Sequence, residues 1–228
     1  MAFESKNGPQ GLRTLASVAS IGKRDFVIGG LCAGNSTTNI GLIQNGEWET
    51  IAARGATSLG DRQGAAAFPV KVLVHVFGGK AGGQLQNDLY IFNTALKSWK
   101  VQATSGDVPS ARSGHSIAVV GDTPTLFGGK AATGVLNDLY TYSTSEKSWK
   151  RETVAGGPSA RHRHAAAAID GTLYIIGGEG SSGVLNDAWS FSNGTWKALP
   201  SGGPKRAGAA VVAVGKRIYI AGGTDGSG

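Results

Sequence analysis

Five arginines recur at one position of a repeated pattern, and the arginine side chain is a strong binder of carboxylates. Each lies 17 residues before the second glycine of a Gly-Gly pair. The arginines are Arg13, Arg62, Arg112, Arg161 and Arg206, and the glycines are Gly30, Gly79, Gly129, Gly178 and Gly223. A guanidinium fork holds a carboxylate through two parallel hydrogen bonds, and a concave site concentrates its field. Arginines gathered by the fold would therefore select a carboxylate-bearing ligand.

The repeat that carries the arginines also predicts the elements that position them. The clearest unit runs from Arg161 to about Leu199 and contains four short strand-like runs. Two of its turns are Asp170-Gly171 and Asn193-Gly194, which are strong hairpin signals. No window shows a useful helical period. The unit therefore predicts four short antiparallel strands.

Side-chain size indicates the order of these strands. The first strand of each unit is small-sided, as in Ala165-Ala-Ala-Ala-Ile, and suits a place where several sheets converge. The fourth strand carries the bulky residue, at Trp48, Trp99, Trp149 and Trp196. Radially arranged four-stranded blades satisfy both constraints, and that architecture is a β-propeller. The start of strand one and the end of strand two then share a face, so we expect the arginines at the mouth of a central pocket.

The segment from Arg112 to Trp149 resembles a Kelch repeat. It reads Arg-Ser-Gly-His, a strand, Gly-Gly, Asn-Asp-Leu-Tyr and then Trp. Arg62 to Trp99 and Arg161 to Trp196 match nearly as well, whereas the first unit has Thr38-Asn39 in place of Asn-Asp. The resemblance implies an all-β, Kelch-type β-propeller of four-stranded antiparallel blades, with about 4.5 to 5 repeats and an incomplete last blade. We expect a single domain over residues 1–228, with repeats at about 11–53, 60–103, 110–153, 159–200 and 204–228.

The two ends of the chain raise the question of how such a ring closes. Phe3 precedes Arg13 by 10 residues, as Trp196 precedes Arg206, so residues 2–5 are expected to form an outer strand. The last unit contains two strands and no Asn-Asp-Leu-Tyr strand. An open sheet edge is a template for pairing with another chain. We expect a fragment of a longer, six-bladed protein or a homo-oligomer, with imperfect ring closure as the alternative.

The candidate ligand-binding residues cluster around the arginine position. In Kelch propellers that act as receptors, this position contacts acidic or C-terminal peptide segments, so the resemblance implies the same contacts here. Arg112 and Arg161 are the leading candidates, and the others are Ser113, His115, Arg163, His164, Arg13, Arg62, Arg206, Lys80 and Lys130.

Arg163 departs from the repeat, which makes it the most informative of these candidates. The corresponding positions in the other units hold Leu15, Gly64, Gly114 and Gly208. A residue shared by all units, in contrast, often serves the repeat itself. The repeated arginines therefore keep an alternative role, as repeat-consensus residues bonded to backbone in the neighbouring blade.

Charge and composition narrow the partner class. The net charge of +7 and the isoelectric point near 9.6 favour anionic partners. The positive charge is dispersed around the outer strands and aromatic residues make up only 7% of the chain, which argues against nucleic acid. The single cysteine, Cys32, fits a reducing compartment, so we expect a cytoplasmic location, with the nucleus as the alternative. No signal peptide or membrane-spanning run is present, and no membrane partner is expected.

The sequence predicts a non-catalytic module for protein–protein interaction, with no catalytic residue, metal or cofactor. Its partner would be a protein or peptide segment, acidic or carboxylate-bearing, and the resemblance implies a scaffold or a ubiquitin-ligase substrate receptor. No nucleophile-elbow, phosphate-loop or zinc-peptidase motif occurs. The alternative is an enzyme on a Kelch scaffold that acts on an anionic sugar, such as a sialic-acid isomerase.

Overall fold

Glycine-containing turns divide the chain into short antiparallel strands. The computed structural model describes residues 13–32, 35–36, 40–54, 57–200 and 203–227, and the regular elements within these residues are all β-strands. The chain divides after Ala103 into two compact units. Each unit contains four-stranded sheets, which we call blades.

The first blade is a four-stranded antiparallel sheet with a small three-stranded ribbon beside it. The strands of this repeat are β1 (Arg13–Thr14), β2 (Ser17–Ile21), β3 (Arg24–Ile28), β4 (Leu31–Cys32), β5 (Asn35–Ser36), β6 (Ile40–Gln44) and β7 (Glu47–Ile51). The blade has the strand order β2-β3-β6-β7, and the ribbon has the order β1-β4-β5. The predicted outer strand at residues 2–5 lies outside the described residues.

The second blade completes the first unit. Its repeat contains β8 (Ala66–Val70), β9 (Leu73–Phe77), β10 (Lys80–Ala81), β11 (Gln84–Leu85), β12 (Leu89–Asn93) and β13 (Ser98–Gln102). The blade has the order β8-β9-β12-β13, and β10 and β11 form a separate short hairpin. Phe26 of the first blade contacts Phe92 of the second edge-to-face, with ring centroids 6.2 Å apart. One apolar cluster therefore joins the two blades of this unit.

The third blade opens the second unit and has longer central strands. Its repeat contains β14 (Ser105–Gly106), β15 (Arg112–Ser113), β16 (Ser116–Val120), β17 (Thr123–Ala131), β18 (Gly134–Ser143) and β19 (Ser148–Glu152). The four main strands pair antiparallel in the order β16-β17-β18-β19. Strand β15 pairs with the far end of β17, and β14 runs parallel to β19.

The fourth blade and a final hairpin complete the described chain. Their strands are β20 (Ala165–Ile169), β21 (Thr172–Gly180), β22 (Gly183–Ser192), β23 (Thr195–Leu199), β24 (Ala210–Val214) and β25 (Arg217–Ala221). The blade has the order β20-β21-β22-β23, whereas β24 pairs only with β25 among the described strands.

The distribution of side-chain size across each blade confirms the predicted strand order. The small-sided strands form one edge of every blade, and the tryptophans lie on β7, β13, β19 and β23 at the opposite edge. Trp196 lies between the third and fourth blades, since its ring centroid is 5.4 Å from that of Phe127 in the preceding blade. The core between the third and fourth blades thus combines large side chains on the outer strands with small ones on the first strand.

The Gly-Gly pair brings the end of one blade's second strand against the next repeat. Gly177 has a φ of +58°, and a Cβ atom at this position would lie 2.6 Å from the carbonyl oxygen of Arg206. The pairing of β21 with β22 shifts register between Ile176 and Gly178, as expected for a β-bulge. Glycine is required at Gly177 both for its left-handed conformation and for the close approach of backbone.

We expect Gly177→Ala to destabilise the second unit far more than Gly171→Ala. Both glycines have positive φ, but a Cβ at Gly171 would meet nothing within 4 Å. Gly171→Ala therefore costs only the conformational penalty, about 1 kcal/mol. Gly177→Ala must in addition displace the Arg206 backbone, and its cost is expected to exceed that value by about 1–3 kcal/mol. Urea denaturation measures both, and equal costs would contradict the close-approach argument.

Candidate functional site

The guanidinium groups of Arg112 and Arg161 are completely buried and use every donor within their own repeat. In Arg161, Nη1 and Nη2 donate to the two oxygens of Asp187 at 2.6 and 2.8 Å. Nη1 also donates to the Gly177 carbonyl, Nε to the Ser159 carbonyl and Nη2 to the Ser159 hydroxyl. A guanidinium has five N–H donors, so none remains for a ligand.

Arg112 makes the same set of contacts in the preceding repeat. Its guanidinium donates to both oxygens of Asp138 at 2.6 and 2.9 Å, and to the carbonyl of Gly128. Nε and Nη2 bond to the carbonyl and hydroxyl of Ser110. We call this arrangement, in which a buried arginine binds an aspartate and the carbonyl of the first Gly-Gly glycine, the Arg–Asp clip.

The second repeat also has the clip, but one donor of its guanidinium has no hydrogen-bond partner. Arg62 binds both oxygens of Asp88, the Gly78 carbonyl and the Leu59 carbonyl. Its Nε has no hydrogen-bond partner. The guanidinium also lies over the Tyr90 ring, 5.3 Å from the centroid, which adds a cation–π attraction.

In the fourth repeat the clip favours the ionised form of Asp187. Burial on its own raises the pKa of Asp187, but hydrogen bonds from Arg161 and Trp189, together with the arginine charge, hold this pKa below its usual value. Because Arg161 carries a permanent charge, the pair is an ion pair between a fully buried guanidinium and a partly exposed carboxylate. Removing one partner would leave the other charge uncompensated, which is strongly destabilising.

These contacts correct the expectation that Arg62, Arg112 and Arg161 present guanidinium groups to a ligand. The carboxylate that each one holds belongs to its own repeat, because Asp88, Asp138 and Asp187 are close enough to occupy the fork. The second interpretation needs a change too, since the side chain bonds within its own blade. In Arg161 the backbone N–H and carbonyl make the bonds to the preceding blade, at Leu136 and Gly129. The sequence carried a signal for the clip, since each aspartate follows its arginine by 26 residues.

The arginines of the first and last repeats differ from the other three. Arg206 is partly exposed and donates to the Gly222 carbonyl at 2.6 Å. No carboxylate among the described residues pairs with it. The side chain of Arg13 lies outside the described residues, so its role as a candidate stays a prediction.

A second recurring feature is a series of backbone hydrogen bonds between neighbouring repeats. It runs through residues with left-handed backbone, namely Leu15, Gly64, Gly114, Arg163 and Gly208, with φ between +55° and +71°. The Gly64 N–H donates to the Leu15 carbonyl in the first unit. In the second unit, the Arg163 N–H donates to the Gly114 carbonyl and the Arg163 carbonyl accepts from Gly208.

Arg163 occupies this left-handed position although glycine suits it better. A non-glycine residue in this conformation costs on the order of 1–2 kcal/mol. The side chain is about one-third exposed and its Nη1 lies 3.3 Å from an oxygen of Glu179, while Nε is buried without a partner. Arg163, which departs from the repeat in the sequence, therefore has a strained backbone conformation. Its guanidinium has unused donors and lies beside Glu179, directly after Gly178.

Arg163 has charged and titratable neighbours from the end of β17, the end of β21 and the segment before β20. Glu179 also lies 3.7 Å from Nε2 of His162. Burial lowers the pKa of His162; Glu179 raises it, and the charges of Lys130 and Arg163 lower it further. The exposed Lys130 is therefore close enough to act on the same cluster. We call the group of Lys130, His162, Arg163 and Glu179 the Arg163 cluster.

The remaining candidates lie near the same repeat position but differ in exposure. His115 and His164 are buried, and His164 Nε2 lies 2.7 Å from the Ser116 hydroxyl. Burial, with contributions from the charges of Arg161 and His162, lowers the pKa of His164 to about 3. Ser113 is half-buried, and Lys80 is exposed in the short strand β10 of the first unit. The structure therefore brings Lys130 to the Arg163 cluster but keeps His164 inside the core.

The described residues offer no group of three or more His, Cys, Asp and Glu side chains able to hold a metal ion. The same part of the chain contains no helix long and apolar enough to cross a membrane.

The repeated blade, the clip and the Gly-Gly pair together define the Kelch class of β-propeller repeat. A family model, the KLHDC2/KLHL20/DRC7 Kelch-repeats domain, matches residues 14–223. The chain belongs to this Kelch-repeat family, and the predicted all-β fold with four-stranded antiparallel blades is confirmed. Kelch-repeat domains are generally protein-interaction modules and are typically non-catalytic.

The chain is also similar to segments of much longer proteins. It is 32% identical over 109 residues to acyl-CoA-binding domain-containing proteins 4 and 5 of Arabidopsis thaliana, which covers 46% of this chain and 16% and 17% of theirs. It is 44% identical over 46 residues to the Rho GTPase-activating protein gacHH of Dictyostelium discoideum, covering 20% of this chain and 3% of that protein. The chain therefore spans less than a fifth of the length of these relatives.

We expect Arg161→Ala to lower the free energy of unfolding much more than Arg206→Ala, because Arg161 is buried in a clip and Arg206 is partly exposed. Arg161→Ala removes a fully buried side chain with five hydrogen bonds and leaves the Gly177 and Ser159 carbonyls without that partner. The free energy of unfolding should therefore fall by about 3–5 kcal/mol. Arg206→Ala removes one hydrogen bond, worth about 1 kcal/mol. Urea denaturation followed by tryptophan fluorescence measures both. Similar losses in the two variants would contradict the assignment of the clip.

His164 should make stability depend on pH. Its folded-state pKa of about 3 lies below its ordinary value of 6.5, so unfolding takes up a proton between these limits. The free energy of unfolding should therefore fall as the pH decreases from 6.5 towards 3, by about 1.4 kcal/mol per pH unit from this residue. His164→Ala removes this dependence, so the variant's deficit against wild type should shrink on acidification. A deficit that is constant with pH would show that His164 does not titrate in this way.

Proposed function

We propose that this chain is a non-catalytic interaction module that binds a carboxylate-rich protein or peptide segment at the Arg163 cluster. General support comes from the Kelch fold. Specific support comes from the Arg163 cluster, which is a basic and partly exposed group of side chains. The proposal shifts the predicted ligand contacts from the buried arginines Arg62, Arg112 and Arg161 to Arg163 and Lys130.

The observation that carries the proposal is the strained backbone of Arg163. The repeat accepts glycine at this position in three of its five occurrences, and glycine would remove the conformational cost. Strain of this kind concentrates at functional positions, where the side chain compensates for it. The contact from Arg163 to Glu179 is a partly exposed ion pair, and such pairs contribute little to stability. Folding alone therefore gives little reason for an arginine here.

The electrostatics of the cluster suit an acidic segment. Lys130 and Arg163 provide two positive charges against the single negative charge of Glu179. An incoming carboxylate can accept a hydrogen bond from the unused Arg163 donors while Glu179 keeps its contact. Protonation of His162, which is favoured by an added negative charge, would strengthen the complex at lower pH.

The remaining parts of the proposal concern the biological setting. The proposal includes a scaffold or a substrate-receptor role, which is supported by rigid blades that present exposed loops. A reducing compartment, the cytoplasm or the nucleus, fits the single cysteine. The activities in the relatives' names form no part of the proposal, since the chain covers less than a fifth of those proteins.

We expect Arg163→Gly to abolish binding of an acidic segment without loss of stability. Glycine is the residue of three other repeats at this position and adopts the required φ without strain. The free energy of unfolding should stay within about 1 kcal/mol of wild type. Binding is measured by fluorescence anisotropy with a labelled oligoglutamate peptide, and by quantitative mass spectrometry of proteins captured from cell extract on each variant.

Arg151→Gln is the matched control, because it removes the same charge from an exposed position on β19. We expect this control to bind oligoglutamate like wild type at moderate ionic strength. Oligoglutamine should bind neither protein. Equal weakening by Arg151→Gln and Arg163→Gly would mean that net charge alone drives binding, and the proposal would fail.

A further inference from the structure

The outer edge of the third blade is covered by the chain segment that precedes that blade. Strand β14 runs parallel to β19, and the Ser105 N–H donates to the Lys147 carbonyl at 3.1 Å. The Asp107 N–H donates to the Trp149 carbonyl at 2.8 Å. The Asp107 carboxylate in turn accepts the N–H of Arg151 at 3.0 Å. A short backbone segment with one acidic side chain therefore satisfies this sheet edge.

In the fourth blade the equivalent edge, on β23, is open. Strand β23 pairs only with β22 among the described strands, and residues 153–158, which precede this blade, form no backbone hydrogen bond with it in the described part of the chain. Gly157 lies instead beside the Trp196 indole, where an added Cβ would be 2.7 Å from Cδ1 and Nε1. The second blade keeps one bond of the cover, from the Arg54 N–H to the Lys97 carbonyl at 2.7 Å.

Two differences between the repeats explain why the fourth blade has no cover. Counted back from the clip arginine, Gly106 and Asp107 of the third repeat correspond to Ala155 and Gly156. Gly106 has a φ of +75°, and a Cβ atom there would overlap the Trp149 carbonyl oxygen. Alanine at position 155 therefore disfavours the same path, and glycine at position 156 has no carboxylate to accept the strand N–H. The open edge follows from these two internal residues.

The strand register shows which backbone groups of β23 face outward. Trp196 and Trp149 have the same place in the pairing of the outer strand with the third strand of their blades. The carbonyls of Gly194 and Trp196 and the N–H of Ala198 therefore correspond to the groups that the cover binds in the third blade. The side chain of Lys197, in the middle of the strand, is exposed. An accessible strand edge of this kind is a template for an added strand.

We propose that the outer edge of β23 is a docking site for an extended segment of a separate partner protein in which a glycine precedes an aspartate or glutamate. The segment runs parallel to β23, its glycine passes the Trp196 carbonyl, and its carboxylate accepts the Ala198 N–H. Charge complementarity favours this occupant, because Lys197 adjoins Ala198 and β23 contains no acidic residue. The site uses none of the residues of the Arg163 cluster and does not depend on it.

Amide hydrogen exchange, measured by NMR on the full chain, tests whether the edge is open. The Ala198 N–H should exchange at least about ten-fold faster than the Arg151 N–H, because Asp107 holds the latter. Equally slow exchange at both positions would mean that β23 is covered, and the proposal would be wrong.

Binding is tested with a peptide of residues Gln102–Pro109, which has the sequence of the third blade's own cover. The peptide should shift the Ala198 signal in a saturable way and slow its exchange. Gly106→Ala and Asp107→Asn in the peptide should each weaken binding on the order of ten-fold, as expected for a blocked path and for a lost charge-assisted hydrogen bond. Equal binding of the three peptides, or shifts at Arg151 in place of Ala198, would contradict the proposal.

A variant that closes the edge gives a second test. Ala155→Gly together with Gly156→Asp restores the Gly-Asp pair of the third repeat, so this variant should show slow exchange at Ala198 and lose the peptide. Gly156→Asp alone is the control, because it adds the same charge while Ala155 still blocks the path, and it should bind nearly like wild type. Rapid exchange at Ala198 in the double variant, retained binding there, or equal loss in the control would each overturn the proposal.

The contribution of charge is measured with two corresponding lysines. Lys197→Glu should weaken binding of the peptide several-fold, whereas Lys150→Glu, on the covered strand β19, should leave it unchanged. Equal effects of the two substitutions would mean that net charge attracts the peptide, and the site on β23 would be wrong.

Two further measurements separate this edge from the Arg163 cluster and from self-association. Arg163→Gly should bind the peptide like wild type, and loss of binding in this variant would place the peptide at the Arg163 cluster and overturn the edge. Analytical ultracentrifugation should show the same oligomeric state with and without the peptide. A self-associated form that the peptide disperses would identify a second copy as the occupant of β23, and the proposed partner would be wrong.

Discussion

The buried Arg–Asp clip is the interaction on which each repeat that contains it depends. In the fourth blade it joins the segment before β20, the Gly-Gly bulge within β21 and the middle of β22. Burying two opposite charges carries a large desolvation cost. Arg112 and Arg161 offset it because the geometry satisfies all five guanidinium donors. The clip thereby specifies one arrangement of these segments, since any slip in register leaves unpaired charge in the core.

The clip acts within one repeat, whereas backbone hydrogen bonds and packing connect neighbouring repeats. The second glycine of the Gly-Gly pair donates its N–H to the carbonyl of the next repeat's arginine, as Gly129 does to Arg161. In the fourth blade, the outer-strand Trp196 packs against Phe127 of the preceding blade. Each residue of the repeat pattern therefore has a place in one connected set of contacts. This accounts for the recurrence of the pattern without reference to a ligand.

The fold was predictable from the sequence because its signals repeat, whereas the role of the arginines was not. Turn dipeptides, small first strands and outer tryptophans each recur, so an error in one unit is corrected by the others. The arginine fork, however, has the same chemistry whether its carboxylate comes from Asp187 or from a ligand. The two roles are distinguished only by whether folding brings an aspartate of the same repeat next to the arginine. Arg163 was visible as a departure from the repeat. Its pairing with Glu179 depends on the exact positions of β21 and of the segment before β20, and no sequence pattern indicates it.

Beside the side-chain packing between blades, neighbouring repeats are joined by backbone hydrogen bonds at the left-handed positions. The left-handed series donates and accepts through N–H and C=O groups alone, even where Arg163 interrupts the glycines. Such a joint makes little demand on the side chains of the adjoining repeat. Gene duplication can therefore add a repeat, or exchange one, without compensating substitutions in its neighbours at these contacts. Each duplicated repeat keeps a complete clip, because both partners of the clip lie in the same repeat. The segments outside these contacts, such as the one at Arg163, can then diverge in sequence.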